Sequence, residues 1–187
     1  IKEVEKYAQE FNDDYENGED KIQILSKIEN ALATYGEDST TLTLQKLKDK
    51  ITEETYAQSF QDLQEAFINK TKEIEELYTL ASSLEKKYPS KGDLRDLYDE
   101  ITEQRNDKLF KQKTSEAQDL IKIENWNEAA QLLDQALDLK VTDELLNQNK
   151  KINAIALFVE DAEDIIKNSP KRLDTSNKIS TLREQIE

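Results

Sequence analysis

The chain repeats itself with a period of about fifty residues, and this period constrains its fold more than any other feature. The segment EKYAQEF at Glu5–Phe11 returns as ETYAQSF at Glu54–Phe60. Three isoleucines in similar local contexts, Ile51, Ile101 and Ile152, are spaced by 50 and 51 residues. A period in this range indicates stacked supersecondary units, each of which buries its apolar face against a neighbour.

The scarcity of turn residues predicts that these units are helical. The 187 residues include 3 Gly and 2 Pro, where average usage would give roughly 13 and 9. Apolar residues recur at helical spacing, and the strict alternation of a half-buried strand is missing. We therefore predict an all-α array of six to eight helices, built from antiparallel hairpins in a tetratricopeptide-like or spectrin-like right-handed stack.

Turn signals divide the predicted array into four units within one domain, residues 1–187. The units are 1–38, 39–90, 91–141 and 142–187. Gly is favourable past a helix end because it adopts the left-handed conformation without strain, and the residue before Pro is biased away from helix. These rules predict helix ends near Asn17-Gly18, Gly36, Asn69-Lys70-Thr71, Tyr88-Pro89 and Asn168-Ser169-Pro170.

Capping residues predict where the helices start, and the spacing of apolar residues predicts which stripe of each helix faces inward. The first helix is predicted over 1–16. The second carries Ile22, Leu25, Ile28, Leu32 and Tyr35 on its inner stripe. Asp38, Ser39 or Thr40 caps the third helix, Thr142 and Asp143 cap a later one, and a short helix from about Thr175 closes the array. Asn125 and Glu128 have the spacing of a capping box.

The apolar periodicity also predicts which side chains form the core. We expect these to be mostly buried: Leu25, Ile28, Leu32, Leu47, Ile51, Phe60, Leu77, Ala81, Leu84, Leu97, Ile101, Leu120, Ala129, Leu133, Ala136, Ile152, Ile155 and Phe158.

One hairpin carries a family pattern. Ala117 and Leu120 stand on its first helix, and Trp126, Ala129, Leu133 and Ala136-Leu137 stand on its second. Small residues let two helices approach while larger ones fill the remaining volume. Residues 117–137 resemble the tetratricopeptide repeat in this spacing. The chain departs from the family at Lys113, Glu116 and Val141, which stand where a large aromatic, a Leu and a Pro are usual.

The charge of the chain limits its partners. With 41 acidic and 26 basic residues its formal net charge is −15. Binding to nucleic acid and to anionic membrane surfaces depends on neutralising negative charge with Lys and Arg. We therefore expect no binding to nucleic acid or to anionic membrane surfaces. No apolar run approaches the roughly 20 residues that span a bilayer, so we also expect no membrane insertion within these residues. The partner class that this charge favours is a protein or peptide of basic or apolar character.

The composition also removes most catalytic and cofactor chemistry. The chain has no Cys, no His and no Met, so thiolate nucleophiles, disulfides and the commonest transition-metal ligand are excluded. No glycine-rich phosphate loop is present. We predict a protein that is not an enzyme and has no cofactor. This composition is typical of exported bacterial proteins, which favours an extracytoplasmic or cell-surface location over a cytoplasmic one.

Adjacent carboxylates are the remaining candidates for chemistry. They occur at Asp13-Asp14, Glu19-Asp20, Glu53-Glu54 and Glu75-Glu76. Adjacent acids on an amphipathic helix are more often a solvated face than an acid–base pair. The stretch 12–20 resembles a calcium loop, but Tyr15 and Ile24 fall where that loop needs oxygen ligands. We assign no catalytic, cofactor or metal residues, and the partner-binding residues stay unknown at this stage.

Two functions remain open. The first is a non-catalytic helical-repeat module for protein–protein interaction or scaffolding, which the period and the tetratricopeptide-like hairpin favour. The second is a structural spacer, such as a rod-like helical ectodomain of a membrane-anchored bacterial protein. The regular seam from Ile74 to Tyr88 and the long helices favour this alternative.

Overall fold

The computed structural model describes residues 2–37 and 40–168, and this part of the chain holds seven α-helices and no strand. The all-α prediction is confirmed, and the helix number falls within the predicted range. The architecture is a helical array compatible with a repeat of helical hairpins. The helices are α1 Lys2–Glu16, α2 Lys21–Tyr35, α3 Leu42–Ile68, α4 Ile74–Lys87, α5 Gly92–Lys122, α6 Trp126–Leu139 and α7 Asp143–Asn168.

Three apolar clusters hold these helices together. The first joins α1, α2 and the first half of α3, the second joins the rest of α3 to α4 and the start of α5, and the third joins the end of α5 to α6 and α7. The recurring isoleucines Ile51, Ile101 and Ile152 are buried, one in each cluster. Each cluster is therefore made of three helical segments, and α3 and α5 each contribute to two clusters.

The chain divides into two compact units, Ile1–Ile101 and Thr102–Glu187, with the boundary inside α5. The first unit contains the first two clusters and the second unit contains the third. The prediction of a single domain with four repeat units stays a prediction.

Contacts between side chains show that consecutive helices run antiparallel. Lys27 near the middle of α2 pairs with Asp14 near the end of α1 at 2.7 Å, while Tyr35 at the end of α2 packs on Tyr7. In the second unit, Lys140 after α6 pairs with Asp107 in α5 at 2.9 Å. Short connections and opposite directions make each pair a helical hairpin.

The same turn closes α1, α3 and α5. Gly18, Lys70 and Glu124 have φ of 77°, 51° and 60°. The next amide in each case donates to a carbonyl five residues back: Glu19 to Asp14, Thr71 to Ala66 and Asn125 to Leu120, at 3.0, 3.1 and 2.9 Å. This is the hydrogen bond of a Schellman motif, in which a left-handed residue ends the helix. The predicted breaks at Asn17-Gly18 and Asn69-Lys70-Thr71 are confirmed.

The observed caps confirm the predicted start of α7 and correct the predicted cap of α6. The Thr142 hydroxyl accepts a hydrogen bond from the Leu145 amide at 3.2 Å, so Thr142 caps α7 as predicted. The capping box at Asn125 is wrong, since Asn125 precedes α6 without a side-chain cap hydrogen bond. The backbone amide of Asn125 instead donates the Schellman hydrogen bond to the Leu120 carbonyl. Asn125 has a ψ of 74°, so its backbone belongs to the turn that ends α5.

The start of α3 is also later than predicted. Thr41 precedes its first residue, Leu42, and the hydroxyl of Thr41 donates to the Gly36 carbonyl at 2.9 Å. Asp38 and Ser39, predicted as alternative caps, lie outside the described residues, as does the closing helix predicted from Thr175.

The inner face of α2 is shifted from the predicted stripe. Ile22 is 68% exposed, whereas Ile24 is completely buried. Asp20 caps α2 by accepting hydrogen bonds from the amides of Ile22 and Gln23, so Ile22 lies in the first turn, beside the cap. The prediction of Ile22 as an inner residue is wrong.

Most of the predicted core is buried, including Leu133, Ile101 and Ile51, which are completely buried. Six predicted core residues are half-buried. They are Leu25, Phe60, Leu84, Leu120, Ile155 and Phe158.

Candidate functional site

Several of the adjacent carboxylates cap a helix or pair with a lysine of another segment. Asp20 caps α2, and Asp14 pairs with Lys27. Glu53 accepts a hydrogen bond from Lys91 at 2.6 Å, and Glu54 accepts one from Lys21 at 2.8 Å. Glu75 and Glu76, in contrast, line a surface groove at α4.

The Glu54 cluster links three helices of the first unit. The Lys21 ammonium and the Tyr15 hydroxyl, which lies 2.6 Å from Glu54 Oε1, hold the pKa of Glu54 below its usual value. The hydrogen bond to the Glu54 carboxylate in turn raises the pKa of Lys21. Lys50 covers the Tyr15 ring at 4.4 Å from its centroid. All these shifts favour the charged forms, as in an ion-pair network.

The Tyr56 cluster is the second polar link in this unit. The Tyr56 hydroxyl donates to Asp93 Oδ1 at 2.5 Å, and Lys91 lies 4.6 Å from the centroid of the Tyr56 ring. Burial of the phenol, and then the Asp93 carboxylate, raise the pKa of Tyr56. The Tyr56 hydrogen bond in turn lowers the pKa of Asp93. The phenol therefore stays protonated and acts as a donor between α3 and α5.

The repeated aromatic pair adopts the same arrangement in both copies. Tyr7 stacks on Phe11 with centroids 5.8 Å apart and rings inclined by 24°, and Tyr56 stacks on Phe60 at 5.7 Å and 22°. Both tyrosines also contact a tyrosine at or just after the end of the following short helix, Tyr35 or Tyr88. Tyr7 and Tyr56 therefore occupy similar packing positions.

Within residues 2–37 and 40–168, no three acidic side chains converge into a group that could hold a metal ion. None of the helices α1 to α7 combines the length and the apolar character needed to cross a membrane.

Open grooves between paired helices are the concave features of the described surface. One lies between α1 and α3, with a volume of about 360 Å³, and is lined by Lys46, Lys50 and Glu5 among others. A second lies between α3 and α4, where Lys72 accompanies the acid Asp62. Both grooves therefore contain charges of both signs.

The α6–α7 groove differs because its only charged side chains are acidic. Its volume is about 400 Å³, within the usual range of ligand sites. Residues at helical spacing on each helix form it: Asn127, Ala130, Gln131 and Asp134 from α6, and Asn153, Ala156, Leu157 and Glu160 from α7.

The floor and walls of this groove have distinct chemistry. Ala130 and Ala156 are buried and form the floor, since small residues keep the two backbones close. Leu157 is 64% exposed on one wall. Asp134 accepts a hydrogen bond from Asn149 at 2.7 Å, and Asn149 accepts one from Asn153 at 2.8 Å. Asn149 is buried, so this chain fixes the position of the Asp134 carboxylate.

No sequence signal singled out the groove. Trp126, which stands on the second helix of the tetratricopeptide-like hairpin, is half-buried against the third cluster. The polar spacing of Asn127, Gln131 and Asp134 on one helix face could have drawn attention, but many solvated faces show the same spacing.

No family model, curated protein or solved structure matches the chain in the comparisons with known proteins.

Proposed function

We propose that the protein is a non-catalytic helical module that binds a protein or peptide, or scaffolds an assembly. The observation that carries this proposal is the α6–α7 groove, which presents the exposed Leu157 above an alanine floor. A large apolar side chain on the wall of a concave surface supplies binding energy when a partner covers it. The clusters around Glu54 and Tyr56, in contrast, use their polar groups for packing.

The tetratricopeptide-like hairpin at 117–137 supports the same proposal. Of the seven residues on which the resemblance rests, Ala117, Ala129, Leu133 and Ala136 are completely buried in the third cluster, and the other three are half-buried against it. Small residues at these places permit the close helix contacts that hairpin stacks need. In this proposal the hairpin is one unit of an array whose helices offer binding surfaces.

Charge favours a basic or apolar partner. The chain has a net charge of −15, and such a field attracts cationic surfaces and repels nucleic acid. Affinity in this proposal comes from a few desolvated anchors, and the acidic rim adjusts the association rate.

Site-directed photo-crosslinking in an extract of the native source tests the proposal. A photoreactive residue replaces Leu157 in the groove, and the control places it at Lys151, an exposed α7 residue that does not line the groove. We expect a specific crosslinked protein from position 157 and none from position 151. Equal labelling at both positions, or no specific product, would contradict a binding role for this surface.

The second candidate function is a structural spacer. The lengths of α3 and α5, 27 and 31 residues, favour it. Small-angle scattering of the intact chain separates the two functions. A straight rod would support the spacer, whereas a curved array would support the binding module.

A further inference from the structure

We infer that the α6–α7 groove binds a segment of a partner protein rich in Lys or Arg. This inference rests on the proposed function and names the partner class for one of its surfaces. It depends on charge, on the unpaired state of the groove's acids, and on the shape of its walls.

The acids of the groove have no counter-ion in the described part of the chain. Asp134 and Glu160 are the charged residues of the groove, and neither forms an ion pair within residues 2–37 and 40–168. Elsewhere some acids of the described surface form ion pairs across helices, as at Glu54 with Lys21 and Asp107 with Lys140. A cationic side chain entering the groove therefore gains two carboxylates without displacing a cation of these residues.

The fixed position of Asp134 favours binding. Its carboxylate is held by Asn149, which is itself buried and bonded to Asn153. A carboxylate held in place loses less conformational entropy when it accepts a hydrogen bond from a guanidinium or ammonium group. The Asn149 amide occupies only part of the acceptor capacity of the carboxylate.

The apolar parts of the groove suit the stems of Lys and Arg. These side chains bury their methylene groups along apolar surface while the charged head stays near solvent. Leu157 on the wall and Ala130 and Ala156 on the floor provide that surface. Asn127 and Gln131 add amide groups that hydrogen-bond to a peptide backbone.

A peptide titration tests the inference on the full chain. The probe is a capped dodecapeptide of alternating Arg and Ala, and its control has Gln in place of every Arg. Binding is followed by calorimetry and by the fluorescence of Trp126, which is adjacent to the lining residue Asn127 and is the one Trp of the chain. We expect the Arg peptide to bind and the Gln peptide to bind far more weakly.

Two double variants with the same charge change separate the groove from general attraction. Asp134→Asn with Glu160→Gln removes the groove charges, while the new amide oxygen at position 134 still accepts the hydrogen bond from Asn149. Glu128→Gln with Glu144→Gln removes two exposed acids of α6 and α7 that do not line the groove. Two exposed ion pairs together account for about a 2- to 30-fold change in affinity. We expect a loss in that range for the first pair and less than about 2-fold for the second.

Equal losses in the two double variants would overturn the inference, because they would show attraction by net charge alone. Absence of binding by the Arg peptide would also overturn it. Sedimentation of the protein alone tests a second copy as the occupant, and a dimer that Leu157→Arg dissociates would likewise contradict the inference. If position 157 still crosslinks to a partner after any of these results, the proposed function survives and only the cationic partner class fails.

Discussion

Leu133 and Leu157 show how burial decides what a side chain contributes. Leu133 is completely buried in the third cluster, and Leu157 on the neighbouring helix is 64% exposed. We predict that Leu133→Ala lowers the free energy of unfolding by about 2–5 kcal/mol, since it loses transfer energy and leaves a cavity. Leu157→Ala should cost less than about 0.5 kcal/mol. Urea unfolding of both variants checks this, and similar costs would contradict the hairpin packing.

The Tyr56–Asp93 hydrogen bond should make stability depend on pH. Tyr56→Phe removes the donor and leaves the ring in place, so we expect a loss of about 0.5–1.5 kcal/mol at pH 7. The Asp93 pKa is lowered in the folded state, so this contribution is present above the ordinary carboxylate pKa of about 4. It disappears as the pH falls through the lowered value.

Unfolding experiments between about pH 2 and pH 7 measure this difference between wild type and Tyr56→Phe. In an Asp93→Asn background the cost of Tyr56→Phe should no longer depend on pH in this range. A cost in the wild-type background that is equal at both ends of the range would mean that the carboxylate contributes nothing to the bond.

At the scale of helices, the caps of α2 and α6 differ in a way that mutation can measure. Asp20 accepts two amide hydrogen bonds at the start of α2, whereas Asn125 accepts none at the start of α6. We predict that Asp20→Ala costs about 0.5–2 kcal/mol, the usual value of a cap. Asn125→Ala should cost clearly less, and thermal unfolding of the two variants compares them. Equal losses of stability in the two variants would mean that Asn125 caps α6 as Asp20 caps α2, which would contradict the structure.

The recurring turn predicts substitutions of opposite sign at equivalent positions. Gly18, Lys70 and Glu124 share a positive φ, which costs a residue with a side chain about 1–2 kcal/mol. Part of the gain from glycine is lost to its freedom in the unfolded chain. We therefore expect Lys70→Gly to raise stability by about 0.5–1 kcal/mol and Gly18→Ala to lower it by a similar amount. Chemical denaturation measures both, and a loss of stability in Lys70→Gly would argue against the turn.

These elements also show what sequence could predict. The breaks at Gly18 and Pro89 were predictable because their residue types restrict the backbone directly. The turn at Glu124 was not, because a glutamate carries no signal for a left-handed conformation. At α2 the buried face consists of Ile24, Ile28, Ala31 and Leu32. Ile22 is exposed because it lies about 200° around the helix from Ile24.

At the scale of the whole molecule, the all-α fold and the core clusters followed from composition and apolar period. The α6–α7 groove did not, because it depends on the pairing of Asp134 and Ala130 on one helix with Asn153 and Leu157 on the next. Such a pairing is set by helix packing, and a single sequence contains no measure of it. The proposed function depends on the packing of α6 against α7, so it could not be derived from the sequence alone.

The central claim is that the protein acts by contact through an acidic helical surface. The affinity of the partner recovered by crosslinking at position 157, measured from about 50 to 500 mM salt, tests this claim most directly. We predict that the dissociation constant rises steadily with salt and that the Asp134→Asn, Glu160→Gln variant shows a shallower rise. An affinity that does not change with salt, or a variant that responds like the wild type, would contradict the account.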